Sequence, residues 1–146
     1  MGKKRQARES ALQILFQMEF NDTQVDSLVS QYWEDRKTSQ EVMESTSLLV
    51  KGVVSHLEEI DSIIQGSSEN WRLSRMVLID RNILRIAVFE LFFGTDLAPA
   101  IIMNEAIEIS KKYSGDQSAT FINGILDALN KKSDEIKPAL KAEDND

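Results

Sequence analysis

The first ten residues carry a dense group of positive charges. Lys3, Lys4, Arg5 and Arg8 fall within two turns of a predicted helix. Ammonium and guanidinium groups at this density suit the binding of phosphate, and arginine can do so with two parallel hydrogen bonds. The alternative is a solubilising terminus without a specific ligand, which short basic segments often form.

Residue types that carry out catalysis are scarce in this chain. It has no cysteine and a single histidine, His56, so thiolate nucleophiles, disulfides and cysteine-ligated zinc are excluded. It also lacks a Gly-rich phosphate loop, a metal-spaced histidine pair and a Gly-x-Ser-x-Gly sequence. Carboxylate pairs such as Glu105 and Glu108 are more typical of a solvated helix face. We therefore expect a protein that is not an enzyme, needs no cofactor or metal, and keeps His56 at a helix surface or boundary.

Length and charge limit the class of protein further. At 146 residues, the chain is suited to one compact domain. The formal net charge of −7 disfavours general adhesion to nucleic acid, so phosphate binding would be confined to a local basic patch. The apolar stretches fall short of the ~20 residues that a bilayer crossing needs. Polar residues also interrupt the segment after the basic N-terminus, where a signal peptide would be apolar. We expect a cytoplasmic protein without a membrane span.

Apolar residues recur at intervals of three and four along most of the chain, which predicts helices. No segment shows the period-two alternation of a strand, so the predicted fold class is all-α. The pattern predicts six helices, over residues 4–20, 23–33, 39–66, 76–93, 99–112 and 117–131. The fourth is apolar on nearly every side and should be central. Its Arg85 is expected to form internal ion pairs rather than to bind a ligand.

Turn residues at positions 66–70 suggest a division into subdomains over residues 1–66 and 71–132. Residues 133–146 are acidic with few large apolar side chains, which predicts a loosely held, disordered tail. Within the last predicted helix, Gly124 lies beside the apolar stripe, where we expect a close helix crossing.

The first helix carries two stripes. One stripe is apolar and predicted to be core, and a second contains Leu12, Phe16 and Phe20. One and two turns earlier, the second stripe becomes Arg8 and Arg5. The pattern therefore predicts aromatic and cationic groups on a shared face.

Three sequence blocks occur in order, with an opening segment that fits them. The blocks are residues 80–91 (DRNILRIAVFEL), 104–113 (NEAIEISKKY) and 121–127 (FINGILD), and the opening segment is residues 8–16 (RESALQILF). Over residues 5–129 the chain thereby resembles the NusB family of bacterial transcription antitermination factors. The resemblance implies a single all-helical domain of two three-helix subdomains. It also implies binding of boxA RNA in ribosomal RNA leader transcripts, together with the ribosomal protein NusE, in an antitermination complex on RNA polymerase.

The same resemblance implies positions for these contacts. The RNA-binding residues would be Lys3, Lys4, Arg5, Arg8, Gln117, Ser118, Thr120 and Phe121. The residues binding NusE would be Phe16 and Asp80. Two lysines stand where the family is richer in arginine, and a lysine does not offer the bidentate phosphate geometry of arginine.

Two alternatives remain open from the sequence. One is a non-catalytic homodimeric helical scaffold, in which a second copy covers the partner or RNA face. The other is an RNA-binding module of the kind associated with ribosomal RNA methyltransferases. A catalytic methyltransferase domain is not expected in this chain, because it has neither a Gly-rich cofactor loop nor a cysteine nucleophile.

Overall fold

The computed structural model describes residues 2–21, 23–67, 72–94 and 97–144. Within these ranges the chain forms α-helices joined by short turns, without a β-strand, as the sequence predicts. In chain order the helices are α1 (Lys3–Met18), α2 (Val25–Glu34), α3 (Gln40–Ser55), α4 (Leu57–Gln65), α5 (Leu78–Phe89), α6 (Pro99–Tyr113), α7 (Asp116–Lys131) and α8 (Ser133–Asp144). A 3₁₀ turn, Leu73–Arg75, precedes α5, and a π-helical segment, Glu90–Gly94, follows it.

Local residues set several helix ends. Ser39 caps α3, since its Oγ accepts a hydrogen bond from the backbone N–H of Val42 at 3.3 Å. Pro99 lies in the first turn of α6, where a backbone N–H would have no hydrogen-bond partner within the helix. Gly115 joins α6 to α7 with a φ of 110°, a conformation that a side chain would strain. The sharp connection between these two helices therefore depends on glycine.

Helix α5 lies at the centre of the molecule and packs against α1, α3, α4, α6 and α7. Its buried apolar residues join those of the other helices in one contiguous core, which confirms the expected single core and the central helix. Arg85 on α5 pairs with Asp61 (Nε to Oδ1, 2.8 Å) and with Glu19 (Nη1 to Oε1, 2.9 Å). The predicted internal ion pairing of Arg85 is thus confirmed.

The third predicted helix is wrong in one respect, because the chain breaks at His56 between α3 and α4. His56 has φ −116° and ψ 22°, away from helical values, and its imidazole stacks on the Phe93 ring with centroids 4.5 Å apart. The break allows α4 to turn and pack against α5. Since the apolar spacing continues through His56, the sequence pattern did not reveal it.

The prediction of a loose acidic tail is also corrected, because residues 133–144 form α8. This helix packs on α7 and on the π-helical segment, and its Ile136 contacts the core. Asp134 and Glu135 lie in its first turn, where the helix dipole favours negative charge, so the acidic composition is compatible with a helix. Residues 145 and 146 lie outside the described ranges. So do residues 68–71, and the division into two subdomains remains a prediction.

The close helix crossing occurs at Gly52 of α3, and the prediction for Gly124 is wrong. A Cβ atom built on Gly52 would overlap the Phe89 ring of α5. A Cβ on Gly124 would meet no described atom within 4 Å, and Gly124 is exposed on α7. The packing of α3 on α5 therefore requires a missing side chain at Gly52, and a Cβ on Gly94 would overlap the same Phe89 ring.

Candidate nucleic-acid interface

Lys3, Lys4 and Arg5 form the first turn of α1, and we call this turn the basic arm. Lys3 and Lys4 are exposed, and Lys3 Nζ lies 3.1 Å from an oxygen of the exposed Glu41 on α3. Arg5 is half-buried and its Nε donates to Glu105 Oε2 on α6 at 2.9 Å. The hydrogen bond to Glu105 raises the pKa of Arg5 above its ordinary value. The basic arm therefore presents permanent positive charge at the surface.

Arg8 lies one turn further along α1, but its side chain is buried. Its guanidinium donates to both carboxylate oxygens of Glu90, from Nε at 2.6 Å and from Nη2 at 2.8 Å, and Nη1 lies 3.3 Å from Glu105. Burial lowers the pKa of Arg8, but the hydrogen bonds and charges of Glu90 and Glu105 outweigh burial and raise it overall. This geometry disfavours the predicted phosphate contact of Arg8 and places the residue in an internal ion-pair cluster.

The predicted RNA residues at the start of α7 divide in the same way. Gln117, Thr120 and Phe121 are exposed, with 37% of Phe121 accessible to solvent. The Thr120 hydroxyl donates to the backbone carbonyl of Asp116 at 3.1 Å, within its own helix. Ser118 points inward, so three of the four residues present groups that a ligand can reach.

Asp80 is buried at the start of α5, with 4% of its surface accessible. Its Oδ1 accepts a hydrogen bond from Ser114 at 2.8 Å, and its Oδ2 accepts one from Ser118 at 2.9 Å. These two bonds tie α5 to both sides of the connection between α6 and α7. Asp80 therefore holds the first turn of α7 in the isolated chain, and its contact with a protein partner stays a prediction.

An aromatic pair marks the predicted partner face. The rings of Phe16 and Phe20 pack edge to face with centroids 5.4 Å apart, and the two residues are 36% and 67% exposed. Leu12 and Arg8 of the same predicted stripe are buried, so the expected face of mixed aromatic and cationic groups does not form. Phe20, which was not among the predicted partner residues, is the more exposed ring.

Glu19 anchors the helix end that carries this aromatic pair. It accepts hydrogen bonds from Arg81 Nη2 at 2.6 Å, from Arg85 Nη1 at 2.9 Å and from Asn82 Nδ2 at 3.2 Å. Burial opposes the ionisation of Glu19, but these donors outweigh burial and lower its pKa. The partner face is thereby fixed to the central helix α5.

A polar cluster that the sequence analysis missed joins α1 to the last turn of α6. Glu9 is buried and accepts hydrogen bonds from Lys112 Nζ at 2.6 Å and from the Tyr113 hydroxyl at 2.8 Å. Burial, followed by the hydrogen bond to Glu9, raises the pKa of Tyr113 and keeps its hydroxyl a donor. The available signal was the position of Glu9 beside the buried stripe of α1, where a carboxylate needs donors.

Metal binding and membrane insertion find no support in the part of the chain that is described. Its histidine, aspartate and glutamate side chains form no group of three arranged to hold a metal ion. None of its helices is long and apolar enough to cross a bilayer. His56 lies at the α3–α4 boundary with its Nδ1 3.4 Å from Glu59.

The fold and these surfaces define an all-α binding protein whose candidate site is an exposed set of cations, polar side chains and aromatic rings. The sequence profile of the NusB family matches residues 5–131, and the chain belongs to this family. It is 43% identical to the transcription antitermination protein NusB of Syntrophus aciditrophicus over 139 residues, covering 92% of this chain and 86% of that protein.

Two solved structures extend the likeness to the fold. The first is NusB of T. maritima, which is 34% identical, with a TM-score of 0.81 over 88% of this chain and 91% of that one. The second is a crystal structure of the antitermination factors NusB and NusE in complex with double-stranded RNA, where the match is 29% identical with a TM-score of 0.81. That match covers 90% of this chain and 98% of the other.

Proposed function

We propose that this protein is a transcription antitermination factor that binds boxA RNA of ribosomal RNA leader transcripts together with the ribosomal protein NusE. It acts in the cytoplasm, in an antitermination complex on RNA polymerase, by holding its partners together rather than by making or breaking bonds. The observation that carries this proposal is similarity along nearly the whole chain to NusB proteins, including one solved with NusE and RNA.

The RNA surface in this proposal consists of the basic arm and the exposed residues at the start of α7. Proteins that bind single-stranded RNA place cations along the backbone and aromatic or polar groups at unstacked bases. The basic arm suits the phosphates, and Gln117, Thr120 and Phe121 suit the bases. Arg8 and Ser118 support this surface from inside, because their side chains are held by Glu90 and Asp80.

The partner surface is centred on Phe16 and Phe20. Exposed aromatic rings contribute much of the binding energy at protein interfaces once they are desolvated. A chain with a net charge of −7 also attracts a basic ribosomal protein. A second copy of this chain is the alternative occupant, because two exposed rings would suit a homodimer as well.

A titration of labelled RNA tests the proposal. The RNA is a boxA oligonucleotide, a scrambled oligonucleotide of the same composition, or a boxA duplex, each with and without purified NusE. We expect preferential binding of boxA and an increase in affinity when NusE is present. Equal affinity for boxA and scrambled RNA in the presence of NusE would contradict the proposed function.

Sedimentation of the protein alone, with NusE and with boxA RNA shows whether NusE or a second copy of this chain occupies the partner surface. A heterodimer that forms with NusE and excludes self-association supports the proposed function. A stable homodimer that persists when NusE is added would favour the scaffold instead.

A further inference from the structure

Lys112 and Glu9 form an ion pair in which the lysine is exposed and the glutamate is buried. The side chain of Lys112 is 56% exposed, whereas that of Glu9 is 10% exposed. The hydrogen bond to Glu9 raises the pKa of Lys112 above its ordinary value, so the ammonium stays charged. An anion approaching this surface meets the ammonium of Lys112 while Glu9 lies behind it.

Lys112 also lies near both parts of the proposed RNA surface. The Arg5 guanidinium of the basic arm is near enough for its charge to oppose that of Lys112. Two residues after Lys112, the Ser114 hydroxyl binds Asp80, which also holds Ser118 of α7. The last turn of α6 and the Ser114 that follows it therefore connect α1, through Glu9, to the start of α7.

The local hydrogen bonds allow Lys112 to bind a second anion. A lysine ammonium has three N–H donors, and one of them serves Glu9. The Tyr113 hydroxyl donates to the same Glu9 oxygen, so this buried carboxylate keeps a donor when the ammonium moves toward a phosphate. Gln13 in turn donates to the Tyr113 oxygen at 3.3 Å and helps to fix the hydroxyl.

We propose that Lys112 is a phosphate-binding residue of the RNA site, bridging the basic arm and the start of α7, with Glu9 and Tyr113 as positioning residues. This inference rests on the proposed function. It adds a contact to the RNA path at the last turn of α6, which the sequence analysis did not assign to RNA.

The test compares Lys112→Gln with Lys51→Gln in boxA titrations over a range of salt concentrations. Lys51 is a matched control, because its side chain is 55% exposed and its Nζ lies 3.1 Å from Asp26, in a pair between α3 and α2. Loss of one phosphate contact to single-stranded RNA lowers the salt slope by about 0.7 and weakens binding several-fold. We expect these effects for Lys112→Gln, while Lys51→Gln retains the slope and affinity of the unaltered protein.

Lys112→Arg, which keeps the charge, should restore the salt slope, and thermal melting shows that each variant is folded. Unchanged affinity and slope in a folded Lys112→Gln variant would overturn the inference while leaving the proposed function intact. An equal loss in Lys112→Arg and Lys112→Gln would also overturn it, since charge would then not be the cause. If the unaltered protein does not prefer boxA over scrambled RNA, the proposed function fails, and the inference fails with it.

Discussion

Arg8 and Glu90 lie 82 positions apart in the chain and form a bidentate ion pair inside the molecule. Both side chains are 6% exposed, and the two N···O distances are 2.6 and 2.8 Å. The pair joins α1 to the π-helical segment after α5. It therefore connects the helix that carries the basic arm to the centre of the fold.

We expect Arg8→Ala to destabilise the protein rather than to weaken RNA binding selectively. Removing one member of a buried ion pair leaves an uncompensated charge and costs about 3–5 kcal/mol. The double variant Arg8→Met, Glu90→Leu should lose far less, because neither charge remains. Urea denaturation measures both free energies of unfolding. An Arg8→Ala variant of unchanged stability and greatly reduced RNA affinity would instead identify Arg8 as a phosphate ligand.

Replacing the exposed lysines of the basic arm should have the opposite effect, weakening RNA binding while leaving stability nearly unchanged. We expect Lys3→Gln, Lys4→Gln to reduce the salt slope of boxA binding by about 1.4, since each phosphate contact on single-stranded RNA contributes about 0.7. Stability should change by no more than about 0.5 kcal/mol, as for most surface substitutions. The control is Lys51→Gln, Lys131→Gln, which removes the same charge from two other exposed positions. A slope that falls equally in both double variants would show a general charge effect rather than a site.

Phe20→Asp should weaken NusE binding by about 2 kcal/mol, roughly 30-fold in Kd, as expected for an aromatic residue central to an interface. Because Phe20 is 67% exposed, the folded state loses little packing. Leu48→Asp is the control, since Leu48 is 71% exposed on α3 and lies outside the proposed partner face. Isothermal titration calorimetry with purified NusE measures the affinities. Similar affinities for the Phe20 and Leu48 variants would place the interface elsewhere.

Glu19 should make stability depend on pH. Its pKa is lowered in the folded protein, so the folded state binds this proton less readily than the unfolded chain does. The stabilisation is present above the ordinary glutamate pKa of about 4.3 and is lost as the pH falls through the lowered folded-state value. Glu19→Gln should be less stable at pH 7 and should lose less stability on acidification. Urea denaturation from pH 7 to pH 3 measures the free energy of unfolding of both proteins. If the free energies of the unaltered protein and of Glu19→Gln fall in parallel with pH, Glu19 is not the source of the pH dependence.

The sequence was a good guide wherever a structural signal is local. The spacing of apolar residues predicted the helical fold and the central helix α5, and Ser39 and Pro99 marked helix starts. Side chains three and four positions apart lie on one helix face whatever surrounds them. The same spacing placed Phe16 on a second stripe of α1, and Phe16 is exposed there. Leu12 lies on that stripe too, but it is buried, which the spacing did not indicate.

Signals that depend on distant contacts were missed or misread. The break at His56 goes with the stacking of its imidazole on Phe93, and the close approach at Gly52 exists because Phe89 packs there. The hydrogen bonds that Ser114 and Ser118 donate to Asp80 were not predicted. None of these partners is adjacent in sequence.

The amino-acid sequence by itself determined the all-α class, the boundaries of most helices and the concentration of positive charge at the N-terminus. The tertiary structure decided how each charge is used, leaving Lys3 and Lys4 exposed, burying Arg8 against Glu90, and holding Lys112 over Glu9. The physical reason is that helix periodicity needs only neighbours along the chain. Whether a charged side chain meets water or a buried partner depends on which helices fold against it.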